Sequence, residues 1–237
     1  MVKDGPMAVE EPRTRWAGLS LAERTGERRR LILDAAFALL DAGGDIGDVT
    51  IRTVCRDAGV HRRYFHESFS SRDELLGAMF DEAAVALVSE VLDAIRAARP
   101  DSTQATLRVF IRSGLTHLRQ RGAHAALMVG RDSEPALQGK RVDALTAFRT
   151  LVSAPEDDID SEVKSRNGVL ATMIEGAVVE FGRRWAEGEL GVDVDTAADA
   201  AADAVLALMG LNGSVIGADE RAGALWRATI DSAAGDD

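Results

Sequence analysis

The stretch TVCRDAGVHRRYFHESFSSRDELL, residues 53–76, decides the fold of this chain. It begins in a short amphipathic segment, breaks at Gly59, and resumes in a second short segment carrying Arg62, Arg63, Tyr64 and His66 in close succession. A helix, a glycine-containing turn and a second helix with a basic, aromatic front make a helix-turn-helix. The second helix of such a unit enters the DNA major groove, which is wide enough to admit it.

The flanking sequence builds the rest of that unit. Thr50 is placed to cap the helix over IRTVCRDA, which turns Ile51, Val54, Cys55 and Ala58 inward. Upstream, RRRLILDAAFALLDAGG sets Ile32, Ala35, Ala36 and Leu39 on one helical face, with Leu33, Phe37 and Leu40 beside them, and Gly43-Gly44 stop it. Ser20 and Glu23 fit an S-x-x-E capping box at its start. Downstream, Ser70 or Ser71 caps a long helix that ends before Pro100. Residues 1–19 read as a flexible arm, 20–72 as a three-helix helix-turn-helix domain, and 73–237 as a helical body. That body continues in helical periods, with closing segments from Val163 to about Glu187 and from about Asp195 to Ile216. No strand-like alternation persists and no internal repeat is visible, so the fold class is all-α.

Charge separates the two parts. The net charge is −11, yet residues 1–72 hold 12 basic against 11 acidic side chains, while residues 73–237 hold 16 against 28. Local positive charge on an otherwise acidic chain fits a polyanion partner, because neutralising phosphates releases counterions. Arg62 and Arg63 suit guanine edges or phosphates, Tyr64 a thymine methyl or a phosphate, and His66 a phosphate. Thr50 and Arg52 are placed for the DNA backbone, and Arg72 for a phosphate at the start of the long helix. Arg13 and Arg15 could reach DNA from the arm.

These residues resemble the tetracycline-repressor (TetR) family of bacterial one-component regulators, through RRRLILDAAFALLDAGG, VTIRTVCRDAGVHRRYFHESFSSRDELL and the helix that follows. Phe69 stands where that family has its phenylalanine, Arg72 where it has a lysine, and His66 where it has a phosphate-contacting tyrosine. His61 departs from the usual Ser or Thr at the start of the recognition helix. The segment RWAGLSLAERTGERRR is similar to an actinobacterial-type branch. The resemblance implies a homodimeric repressor that a small-molecule effector releases from a pseudo-palindromic operator, with the last two long helices forming a four-helix dimer interface. Apolar stripes support that interface: Leu170, Met173, Ile174, Val178 and Phe181 on one helix, Ala201, Val205 and Leu208 on the next. Phe110, His117, Met128, Phe148 and Met173 are expected to line the effector pocket.

Other chemistries have less to stand on. No G-x-S-x-G, P-loop or H-E-x-x-H occurs, so neither an enzyme nor a cofactor is expected. His117 and His124, seven apart, could share a helix face but suit a core or pocket better than a metal. The EDDID run reads as a solvated loop, the aspartates at 195, 199 and 203 as a solvent face, and Trp185 and Trp226 as packing residues. Cys55, the single cysteine, reads as an inert small hydrophobe, and with no intramolecular disulfide possible a reducing, cytoplasmic setting is expected. The N-terminus has no apolar signal-peptide core, and AVLALMGLNGSVIGA is too short and polar to cross a membrane. An activator, or a helical interaction module with a degenerate helix-turn-helix, remains as an alternative.

Overall fold

The computed structural model describes residues 21–131, 134–152 and 161–210; a few of these, including 147–152 and 161–167, are described only as helix. The arm, Ser20, the EDDID run and Trp226 lie outside them. Among the described residues there are nine α-helices, one 3-10 turn and no strand.

The first helix, α1 (Leu21–Asp41), buries Ile32, Ala35, Ala36 and Leu40, a spacing that keeps one face turned inward. It stops where Gly43 takes φ +87°, and the amides of Gly43 and Gly44 cap the carbonyls of Leu40 and Leu39. A Cβ on Gly44 would sit 2.8 Å from the Leu39 oxygen, so only glycine fits there. The segment read as a plain loop contains a 3-10 turn, Ile46–Asp48, which drives Ile46 and Val49 into the core.

Thr50 then starts α2 (Ile51–Asp57) with a reciprocal cap: Thr53 N–H donates to Thr50 Oγ1 at 3.2 Å, and Thr50 N–H to Thr53 Oγ1 at 3.0 Å. Gly59 turns the chain at φ +64°, a conformation that favours glycine. The next helix is α3 (Arg62–Ser68), capped by His61, whose Nδ1 accepts from the Arg63 amide at 3.2 Å. Imidazole thus does the work that Ser or Thr would do there. Ser71 caps α4 (Arg72–Ala98) by accepting from Glu74 N–H, while Ser70 donates to the Glu74 carboxylate through both its amide and its hydroxyl.

The body follows as α5 (Thr103–Gln120), α6 (Gly122–Val129), α7 (Pro135–Val152), α8 (Ser161–Ala186) and α9 (Val194–Gly210). One core joins α1–α4 to α6 and α7: Val54, Phe65, Phe69, Leu75, Leu76, Met79, Leu127 and Leu137 are all buried in it. A smaller cluster, Leu115, Trp185 and Ala197, ties α5 to α8 and α9, and the Trp185 indole donates to the Leu115 carbonyl at 2.7 Å. Trp185 is therefore a packing residue, as expected.

The aspartates of α9 are not idle on a solvent face. Asp195 meets Arg112 at 2.8 Å, and Arg108 meets Asp199 at 3.0 Å and Asp203 at 3.5 Å. Two arginines one turn apart on α5 match three aspartates spaced by one turn on α9. Each pair is exposed and weak, so the ladder sets the register of two helices more than their stability.

Candidate nucleic-acid interface

The surface of α3 is built from the inside outward. Phe65 is fully buried, Phe69 nearly so, and their rings lie 5.7 Å apart. Helical period then fixes what faces out: Arg62, Arg63 and His66 lie within one arc of the helix and are all exposed. The His66 ring packs edge-on against Phe65 at 5.5 Å. Tyr64 sits at the border of that face, 37% exposed, with the Arg28 guanidinium 3.9 Å above its ring. On α2, Arg52 is exposed and Thr50 is half-buried as a cap. Arg56 pairs with its neighbour Asp57 at 2.6 Å, and the arginine beside it holds the Asp57 carboxyl below the usual carboxylate range. The two helices thus carry Arg52, Arg56, Arg62 and Arg63 against Asp57 and Glu67 alone.

Arg72 differs from the other expected contact residues. It stands at the first position of α4, but its guanidinium turns inward. Nε donates to the Val49 carbonyl at 2.6 Å, one NH2 group to the Ile46 carbonyl at 2.7 Å, and the other meets Glu134 at 2.9 Å. The Ile46 carbonyl already accepts from the Val49 amide at 3.2 Å, and Arg72 adds a charged donor to it and one to the Val49 carbonyl. It braces the entry to α2.

Two residues missed by sequence reasoning hold α3 from behind. Arg28 and Arg29 of α1 both reach it: Arg28 donates to Glu67 at 3.0 Å, and Arg29 to the Ser68 carbonyl at 2.7 Å. The triple RRR had marked only a helix, and nothing in its spacing tells which arginine turns inward.

In the body, His117 and His124 belong to different helices, because the chain breaks between α5 and α6. They meet across that break, His117 Nε2 to His124 Nδ1 at 2.9 Å, and the other ring nitrogen of His117 contacts Glu90 of α4 at 2.7 Å. Arg121 holds the second Glu90 oxygen at 2.6 Å. The His124 ring also packs on Phe37 of α1. Burial, and then the neighbouring His117, push the His124 pKa down, while the hydrogen bond from His117 chiefly pulls Glu90 down. Three titratable groups thus run in series between α4, α5 and α6. Burial also pushes the Cys55 thiol up, consistent with an unreactive side chain.

The residues expected to line an effector pocket are dispersed. His117 is buried in this chain of hydrogen bonds, Met128 packs half-buried on the main core, Phe110 is half-buried on α5, and Met173 is 58% exposed on α8. The side chain of Phe148 lies outside the described ones. Two open clefts are present: one of about 680 Å³ beside Gly44–Gly47, Arg131 and Glu134, and one of about 530 Å³ beside Asp41, Arg121 and His124. None of the expected lining residues borders either cleft.

Of the residues read as an interface stripe, Val178 is exposed on α8, as are Val169 and Met173, while Leu170, Ile174, Ala201, Val205 and Leu208 are half-buried. Phe181 is half-buried and packs against the Leu115–Trp185 cluster of the same chain. Among the described residues no helix is long and apolar enough to cross a membrane.

The fold has known counterparts. The chain superposes on a TetR-like transcriptional regulator from Rhodococcus sp. RHA1 with a TM-score of 0.54 and 22% identity, covering 78% of this chain and 96% of the other. It superposes on the fatty acid degradation regulator FadR from Bacillus halodurans with a TM-score of 0.53 and 18% identity, over 74% and 93%. It is 38% identical over 71 residues to an uncharacterized HTH-type transcriptional regulator of Haemophilus influenzae. That match covers 30% of this chain and 34% of the relative. No protein-family profile matches the chain. The fold is that of TetR-like regulators: all-α, with a helix-turn-helix head and a helical body.

Proposed function

We propose that this protein is a sequence-specific DNA-binding transcriptional regulator of the tetracycline-repressor family, acting as a homodimer that a small molecule releases from its operator. One observation carries the reading. A fully seated helix, α3, points Arg62, Arg63 and His66 outward from a core anchored by Phe65 and Phe69. Such a helix can enter a major groove with Arg62 and Arg63 facing base edges or phosphates. Arg52 and the α2 start at Thr50 lie beside it for backbone contact, with Tyr64 at the edge. Arg72 serves this surface by keeping α2 in place. The acidic body, 28 acidic against 16 basic residues from 73 to 237, repels phosphates and so favours docking through the head.

Dimerisation through α8 and α9 is supported by Val169, Met173 and Val178, which the single chain leaves exposed along α8. A two-fold dimer would present two copies of α3 to a pseudo-palindromic site. Effector release needs a lever, and α4 fits the role. Its first half, Leu75, Leu76 and Met79, is buried in the core shared with the head, and its second half buries Val91 and Ile95. An effector that binds the DNA-incompetent arrangement more tightly would shift the population towards it.

The test is a titration of duplex DNA with Arg62→Ala and Arg63→Ala proteins. A base-reading arginine loses about 1–3 kcal/mol of specific binding, and a phosphate-binding one lowers the salt slope by about one. Unchanged affinity and slope in both variants overturn the reading.

A further inference from the structure

The geometry points to Arg28 of α1 as a positioning residue for recognition: through Glu67 and Tyr64 it fixes where Arg63 and Tyr64 reach on the DNA. This inference rests on the DNA-binding reading of α3.

Arg28 is 9% exposed, an unusual place for a guanidinium. One of its nitrogens donates to Glu67 Oε2 at 3.0 Å, and its guanidinium carbon lies 3.9 Å from the centroid of the Tyr64 ring, over its face. The other Glu67 oxygen accepts from Arg63 Nε at 3.3 Å. A line of contacts therefore runs from the inner side of the head to the exposed front of α3, Arg28 to Glu67 to Arg63, with Tyr64 clamped alongside. Next to it, Arg29 lies 4.1 Å over the Phe69 ring and holds the Ser68 carbonyl at the end of α3.

Glu67 and Arg63 alone would hold each other poorly. Arg63 is 80% exposed, and an exposed pair one helical turn apart contributes little. A carboxylate pinned from its inner side by a partly desolvated guanidinium is a fixed anchor, so Arg63 meets DNA in one pose. Arg28 also balances the single negative charge on α3, which would otherwise stand among phosphates. Both tasks need a planar cation that can stack on an aromatic ring while its edge donates to a carboxylate. Arginine does this and lysine does not. Arg62 makes no such link to Glu67, so the device acts on one arginine of the pair.

The experiment compares the full chain with Arg28→Lys and Glu67→Gln. Each is titrated with a duplex enriched from random sequence by the parent protein and with a scrambled duplex of the same composition; thermal melting is recorded alongside. Arg28→Lys keeps the charge but loses the stack and the fork. It lowers the ratio of enriched to scrambled affinity by about tenfold, the size of one good base contact, and leaves scrambled binding within about threefold. Glu67→Gln keeps one amide oxygen as an acceptor, with the melting curve reporting any loss of folding; it raises scrambled affinity by removing a repulsive charge and lowers the same ratio. An unchanged ratio in both variants overturns the proposal, as does an equal loss on both duplexes. A parent protein that binds no duplex at low salt overturns the DNA-binding reading and this proposal with it. A parent that binds, with variants that keep its ratio, overturns this proposal alone.

Discussion

Replacing Arg72 by glutamine lowers the unfolding free energy by about 2–4 kcal/mol and weakens specific DNA binding as a consequence. The size follows from what its guanidinium holds. The bonds to the Val49 and Ile46 carbonyls, at 2.6 and 2.7 Å, are short and charge-assisted, and such bonds contribute about 1.5–3 kcal/mol each. The side chain is 23% exposed, so water repays part of the loss, and Glu134, 25% exposed, loses its partner at 2.9 Å as well. Val49 directly precedes the Thr50 cap, so the loosened turn also loosens the start of α2. The assay is urea denaturation followed by circular dichroism at one fixed protein concentration, because the stability of the proposed dimer depends on it. An arginine that instead grips a phosphate leaves the denaturation midpoint alone and contributes about 0.9 to the salt slope of DNA binding. An Arg72→Gln protein with an unchanged midpoint and a slope reduced by about one refutes the brace.

Two further perturbations reach the body. His124 releases its proton more readily in the folded protein than in the unfolded chain, because burial, His117 and Arg121 outweigh the attraction of Asp41 and Glu90. The unfolded chain therefore binds the extra proton first, and stability falls as pH drops below about 6.5, the free histidine value, until the lower folded value is reached. His124→Gln flattens that part of a plot of urea midpoint against pH, and a plot that keeps its slope contradicts the assignment. Met173→Glu places charge on the exposed apolar side of α8 and converts the proposed dimer to monomer in analytical ultracentrifugation; a variant that sediments as dimer places the interface elsewhere.

What could be read from the sequence was local. Thr50 and the Ser70-Ser71 pair announce helix starts, of which Ser71 proves to be the cap of α4, and Gly43 and Gly59 mark turns that need positive φ. The face of α3 was legible for the same reason: a seven-residue helix with Phe65 buried inside it and Phe69 buried at its C-cap leaves few choices for what points outward. Partnerships between distant segments were not legible. Arg72 reads as an exposed cation until Ile46 and Val49 are folded against it. His117 and His124 look like residues of one helix until Arg121 ends α5 and Gly122 begins α6. The His61 cap escaped because an imidazole rarely serves as one. The α5–α9 ladder did have a signal, since Arg108 and Arg112 repeat at the same spacing as the aspartates of α9, but spacing alone does not say which helices are neighbours. The effector pocket was the hardest to read, because large apolar residues at helical spacing serve a core as readily as a cavity.

The most direct test of the central claim is selection from random duplex DNA with the purified protein at physiological salt, read by sequencing. The account predicts enrichment of a two-fold symmetric motif, with half-sites spaced as two copies of α3 on one dimer would reach them. No enrichment, together with no duplex binding at low salt, would contradict it.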